Sequence, residues 1–384
     1  MIKVLLERWN SSKHYWELVP LKRFCGLFVC FCVRLTISNY VTPDAGPRRF
    51  VRKNIYNDLD YCDGELMAYS HQSYFDGKYK FQRGRKFHCD LTHYIDMFKL
   101  RDTDAVVEQE PNFPNDTAIV IAANNLYWEA SRAAIAEVRR HFGNDTKIIF
   151  YDLGNVTQRH KEEMDSICTF EYRIFNMSRL PENVRHLKTF AWKVFILAEV
   201  FREYNHIMYM DSSIYVETSN FSIFFYMMFN KTLSPVQLSG YTGHGLKFAT
   251  APNMYKYLPL DVNVDNKAWM MEANLILLRR TKETRTLLKW AVLCAVAKDC
   301  INPSGYFLGC PVPDEGEFNG RCHRQDQSIF NVLVYNMEYD MKRRGHKVIP
   351  HMREDHPKNT KQRHETRRLQ GTDQNIAQCS APKI

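Results

Sequence analysis

An α/β fold is what this sequence predicts: a mostly parallel central sheet flanked by helices. Three observations carry the expectation. Short, continuous apolar runs recur through the middle of the chain, as strands buried on both faces require. Helical patterns separate them, so strand and helix alternate. Several runs end in Asn or Asp, at the carboxyl edge where such sheets place their ligands.

The elements follow in chain order. Thr117 to Ala123 is the first buried strand. Glu129 to Phe142 has helical composition, and Gly143 stands where that helix should stop. Lys147 to Tyr151 is the second strand and runs into Asp152-Leu153-Gly154. Thr169 to Phe175 is a third. Val184 to Tyr204 is the strongest helix, with Leu187, Phe190, Ala191, Val194, Phe195, Ala198 and Phe201 at three- and four-residue steps. His206 to Met210 is the fourth strand and ends at Asp211-Ser212-Ser213. Ala273 to Leu278 is another strand, followed by a helix from about Glu283 to Ala297. A last helix runs from Asp326 on to Val334.

Composition sets the frame. With 384 residues, 45% of them hydrophobic and 25% charged, the chain is neither collagen-like nor wholly disordered. Residues 341–384 carry 11 Lys/Arg against 4 Asp/Glu, so this basic tail holds most of the net charge of +9. A near-neutral body with a basic end is not the footprint of a nucleic-acid binder. Four parts result: residues 1–39 as a cytosolic tail and apolar segment, 40–114 as a stem, 115–340 as the α/β domain, and 341–384 as a solvated tail.

The compartment is readable from three features. Cys294, Cys300, Cys310 and Cys322 cluster without the close spacing of a zinc site, so two disulfides fit better, in any of three pairings. Cys62 and Cys89 are candidates for a tie within the stem. Seven Asn-x-Ser/Thr sequons occur, at Asn10, Asn115, Asn144, Asn155, Asn176, Asn220 and Asn230, where chance places roughly two or three. Lys22 and Arg23 precede ten apolar residues, Phe24 to Val33. That run reads as an uncleaved signal-anchor, or as a cleaved signal. The expected address is an ER or Golgi membrane with the domain in the lumen, and the product is secreted if the segment is cleaved.

The order helix, turn, strand, Asp in residues 186–216 resembles nucleotide-sugar glycosyltransferases of the GT-A fold, in which a Lys- and Trp-containing helix leads to an Asp-x-Asp strand end. Residues 119–334 resemble an uncharacterised glycosyltransferase-like family of invertebrate secretory proteins. The matching stretches are Tyr151-Asp152-Leu153-Gly154, Ala191-Trp192-Lys193, Met210-Asp211-Ser212-Ser213, Cys294 to Pro303 and Cys322-His323-Arg324-Gln325-Asp326-Gln327-Ser328. The resemblance implies a GT-A-like fold, a nucleotide-sugar donor, Mn²⁺ or Mg²⁺ as cofactor, and a glycan or glycoprotein acceptor. A binding protein that keeps the fold without catalysis is the alternative. No dinucleotide, Walker-loop, zinc-protease or nucleophile-elbow motif is present.

Candidate site residues follow. Asp211 and Ser213 are expected to hold a cation with His323, although a typical motif has a second carboxylate where Ser213 stands. Asn124, Asp152, Lys188 and Lys193 are expected around the nucleotide, with a lysine able to replace the metal in neutralising the leaving diphosphate. Asp326, Glu272 and His244 are the catalytic candidates. His323 and Asp326 would share a face if both lie on the last helix. Alternatively, Asp326 caps that helix and Asp211 starts a turn.

Overall fold

The structure is a computed structural model that describes residues 57–306, 309–310, 322–360 and 364–366. The apolar segment, the start of the stem, Asn10, Cys25, Cys30, Cys32, Cys379 and the end of the basic tail lie outside the described residues.

Six strands form the central sheet. They are β1 (Thr117–Ala123), β2 (Ile148–Asp152), β3 (Phe170–Ile174), β4 (His206–Asp211), β5 (Val236–Leu238) and β6 (Leu275–Arg279). Their order is β5-β6-β4-β1-β2-β3. β4, β1, β2 and β3 are parallel, as expected. β6 enters antiparallel between β4 and β5. Its sequence is as apolar as that of the parallel strands because both of its faces are covered too.

Helices α1 (Trp128–Phe142), α2 (Gln158–Asp165), α3 (Ala191–Phe201), α4 (Lys282–Val296) and α5 (Gln325–Arg343) complete the body. Side-chain alternation along the strands sorts the core into two layers. Val120, Ile149, Tyr209 and Ile276 face the layer formed by α3, α4 and α5. Ile121, Phe150, Met210 and Leu277 face α1 and the Ser222–Phe229 helix. Helix α3 is sandwiched between the sheet and its sister helices. All of its residues but Glu199 are buried, which explains its apolar composition on every side.

The continuous helix expected over residues 184–204 is broken. A short turn, Glu182–Arg185, and a 3₁₀ turn, Leu187–Thr189, precede α3. Phe190 between them and α3 takes a left-handed backbone, φ 53°. Periodicity could not reveal the break, because apolar spacing continues across it.

Residues 57–114 pack onto the body. Met67 and Ala68 are fully buried, Glu65 and Asp102 pair with buried Lys289, and His71 pairs with Asp261 at 2.5 Å. Gly84 lies so near the Tyr257 carbonyl that a Cβ there would collide with it. The basic end contributes as well. His351 and His356 are buried, and residues 364–366 pair with Ile214–Val216.

Disulfides join Cys62 to Cys89, Cys294 to Cys300 and Cys310 to Cys322. The four clustered cysteines form two bridges, the expected number, with neighbours in sequence paired. Each bridge contributes about 2–4 kcal/mol by restricting the unfolded chain. Among the described residues no helix is long and apolar enough to cross a membrane.

Candidate functional site

The carboxyl edge of β4 and β1 is where three distant parts of the chain meet. β4 delivers Tyr209 and Asp211, two residues apart and on the same face of the strand. Helix α3 delivers Lys193 from its first turn. Helix α5 delivers Asp326 from its first turn, where the helix dipole favours a carboxylate.

Lys193 is the centre of this meeting. Its ammonium lies 2.9 Å from Asp326 Oδ2 and 3.2 Å from Asp211 Oδ1, and it donates to the Ala273 carbonyl at 2.9 Å. The ammonium thus has one hydrogen-bond acceptor and two carboxylate partners. Tyr209 donates its hydroxyl to the same Asp211 oxygen at 2.8 Å, and its ring lies 5.1 Å from the ammonium. Burial pulls the Lys193 pKa down, but Asp211 and Asp326 outweigh it and hold the pKa above the ordinary lysine value. Burial pushes the Asp326 pKa up, with Lys193 opposing. Burial and the neighbouring Asp211 keep the Tyr209 hydroxyl protonated.

The two carboxylates differ in access. The Asp326 side chain is 7% exposed and that of Asp211 31%. Asp211 is therefore the carboxylate that can meet a ligand, and Asp326 the one that stabilises the lysine from behind.

A second layer ties the other catalytic candidates to this centre. Asp211 donates its backbone N–H to the Asn274 carbonyl at 2.7 Å, and the Asn274 side chain donates to Glu272 at 3.0 Å. Glu272 is half-buried. Arg324, the residue before α5, donates to His244 Nε2 at 3.1 Å. Burial lowers the Arg324 pKa while Glu272 and Asp326 oppose the shift, so its guanidinium belongs to the same electrostatic cluster. His244 is buried and stacked on Phe248.

Other expected site residues are placed apart. Asp152 sits at the end of β2 but on the opposite face of the sheet from Asp211. Its oxygens accept from Gly154 N–H at 2.7 Å and from the Tyr172 hydroxyl at 2.5 Å. Asn124 extends β1 beyond Ala122, which is paired with Asp211, and its side chain caps the turn by accepting from Leu126 N–H. Lys188 is exposed on the 3₁₀ turn rather than on the helix that carries Lys193. Ser213 lies in the two-residue turn after β4.

His323 does not share a helical face with Asp326, because α5 begins at Gln325. Its Nδ1 accepts from Ala251 N–H at 3.1 Å and its Nε2 donates to the Ile301 carbonyl at 2.8 Å. Both nitrogens are used to cross-link backbone, which leaves none for a metal. Asp326 likewise lies within the first turn and does not cap it; the N-cap is Arg324.

The residues do not fit a protein-built cage for Mn²⁺ or Mg²⁺. Such ions seek about six oxygens. Here Asp211 Oδ1 is committed to Lys193 and Tyr209, Asp326 is enclosed, and Asp152 and His323 are engaged elsewhere. No group of three or more His, Cys, Asp or Glu among the described residues could hold a metal. The cation between the two carboxylates is the protein's own lysine.

Arg324 and Tyr209 were missed as site residues. Arg324 stands inside the Cys-His-Arg-x-Asp-Gln-Ser string, and Tyr209 shares the face of Asp211 by strand alternation. Both signals were in the sequence.

Residues 65–198 match the model of a family described as Protein of unknown function (DUF1647). No curated protein matches the sequence. Among solved structures, the bifunctional glycosyltransferase WbbM is similar over 60% of this chain and 39% of its own, at 15% identity and TM-score 0.38. The core-mannan synthase A of Aspergillus fumigatus, in its Mn/GDP form, is similar over 73% of this chain and 86% of its own, at 10% identity and TM-score 0.39. Mouse xyloside xylosyltransferase 1 is similar over 62% and 85%, at 11% identity and TM-score 0.36. This chain spans well under half of WbbM.

Two outcomes follow from the geometry. Lys193→Met leaves two carboxylates facing each other without a counter-charge, so urea unfolding should show a loss of about 3–5 kcal/mol. Adding Asp326→Leu should recover much of that loss, and a Lys193→Met protein of unchanged stability would contradict the bridge. Burial lowers the His323 pKa from 6.5 to about 4, so the fold favours the neutral ring. Its stabilising effect is complete above pH 6.5 and is lost as pH falls through about 4, a change of about 3 kcal/mol. Unfolding free energies measured between pH 7 and 4 should fall more steeply in the wild type than in His323→Gln, by about one proton.

Proposed function

We propose that the protein is a lumenal glycosyltransferase that moves a sugar from a nucleotide-sugar donor to a glycan or glycoprotein acceptor. The observation that carries this reading is the convergence of Lys193, Asp211 and Asp326 at the carboxyl edge of a mostly parallel sheet. That edge is the ligand crevice of open α/β sheets. The three residues come from three of the five stretches that resemble the glycosyltransferase-like family.

In this reading Asp211 accepts hydrogen bonds from hydroxyls of the donor sugar through its accessible oxygen. Lys193 and Asp326 hold Asp211 in place. The bond from the sugar's anomeric carbon to the diphosphate breaks, and the acceptor oxygen forms the new bond. Glu272, half-buried and oriented by Asn274, takes the acceptor's proton. Arg324 and the exposed Lys188 supply positive charge as the diphosphate leaves. Asn124, beyond the end of β1, faces the nucleotide. The site performs these roles without a protein-held metal.

The lumenal location is supported by two features. Asn115, Asn144, Asn155, Asn176, Asn220 and Asn230 are all exposed, as glycan attachment requires. The disulfides among the described residues suit an oxidising compartment. The apolar run from Phe24 to Val33 would anchor the chain in an ER or Golgi membrane. A second reading, a binding protein without catalysis, is favoured by one observation: Ser213 stands where a second carboxylate would be.

Binding separates these readings. UDP or GDP should raise the melting temperature with EDTA present, since a ligand that binds only the folded state stabilises it. Asp211→Asn should leave the melting temperature of the free protein within a few degrees. The same change should weaken binding of the matching nucleotide sugar about tenfold or more, since it removes a charge-assisted acceptor. Binding without turnover of any acceptor would favour the second reading, and no response to either nucleotide would contradict the first.

A further inference from the structure

Phe190 is a large apolar residue in a backbone conformation that glycine adopts freely and phenylalanine does not. Its φ is 53° and its ψ 11°, between the 3₁₀ turn and α3. Backbone strain of this kind persists only where surrounding bonds enforce it. Here the Thr189 hydroxyl donates to the Asn183 and His186 carbonyls, both at 2.8 Å. Trp192 Nε1 donates to the Leu187 carbonyl at 3.0 Å. The Phe190 side chain makes none of these bonds.

Nor does the ring complete the core. It is 41% exposed, although Ala191 and Trp192 beside it are buried. Its centroid lies 5.7 Å from Lys193 Nζ, the atom that bridges Asp211 and Asp326. The kink therefore holds an aromatic surface out in solvent at the rim of the carboxylate centre. A straight helix with ordinary dihedrals would send that position elsewhere.

Sugars present two kinds of surface, a rim of hydroxyls and faces made of C–H groups. An accessible carboxylate beside a flat apolar ring matches both. Resting on the reading of the site as a glycosyltransferase centre, we propose that Phe190 is the platform on which the C–H face of a pyranose ring packs, while Asp211 takes its hydroxyls. The ring selects for the sugar and contributes nothing to the nucleoside diphosphate. Phe190 thereby acts in substrate specificity, and the strained backbone at residue 190 is kept for that purpose.

The experiment compares two ligands on three proteins. Wild type, Phe190→Gly and Phe190→Tyr are titrated by calorimetry with the nucleoside diphosphate and with the corresponding nucleotide sugar. Glycine relieves the left-handed strain but loosens the unfolded chain and gives up the ring's contact with Trp192, so Phe190→Gly should melt within a few degrees of the wild type. It should bind the nucleoside diphosphate as wild type does and the nucleotide sugar about three- to tenfold more weakly. Phe190→Tyr should restore sugar binding. A Phe190→Gly protein that melts several degrees lower would show that the ring is a packing element and overturn the proposal. Equal weakening of both ligands would make the ring a nucleobase contact and overturn it as well. If wild type binds the nucleotide sugar no more tightly in the presence of the ring than Phe190→Gly does, the platform is excluded while the transferase reading stands. A wild type that binds neither ligand overturns both.

Discussion

One buried ammonium organises the functional end of this protein. Lys193 is 3% exposed, and an unpaired charge so placed would cost several kcal/mol. Its pairing with Asp211 and Asp326 makes burial tolerable and fixes three separate elements against one another. Because the ammonium meets one carbonyl and two carboxylates from separate elements, moving α3, β4 or the start of α5 would take the lysine away from one of its partners. The result is an accessible carboxylate, Asp211, whose other oxygen is locked by lysine and tyrosine.

The rest of the fold serves that constraint. The antiparallel β6 brings the Ala273 carbonyl under the lysine and Asn274 beside Asp211. The break before α3 starts the helix at Ala191, so that Lys193 falls in its first turn. The two C-terminal disulfides and His323 anchor the chain just ahead of α5, and thus position Asp326. The segment 57–114 reinforces the far side of the same layer through Glu65, Asp102 and Lys289.

Much of this was legible in the sequence. The strands β1, β2 and β4 follow from apolar runs, and the alternation of strand and helix along the chain predicts a parallel sheet. Asp211, Lys193 and Asp326 were each singled out, from motifs more than one hundred residues apart at the extremes, and the structure brings these three into contact. Other features were not legible for physical reasons. The antiparallel sense of β6 leaves no trace in a strand buried on both faces. The left-handed Phe190 is hidden because the apolar spacing runs through it. His323 looked like a ligand because sequence shows a titratable ring but not the two backbone groups that occupy it. Asp152 shares a sheet edge with Asp211, yet the alternation of side chains turns it to the other face.

The central claim is that the Lys193-centred carboxylate pair builds a nucleotide-sugar site. A crystal structure determined with a bound nucleoside diphosphate tests it most directly. The diphosphate should lie at the carboxyl ends of β1 and β4, beside the accessible oxygen of Asp211, with Lys193 still bridging Asp211 and Asp326. A nucleotide bound elsewhere on the protein, or a lysine that leaves its two carboxylates to reach the phosphates, would contradict it.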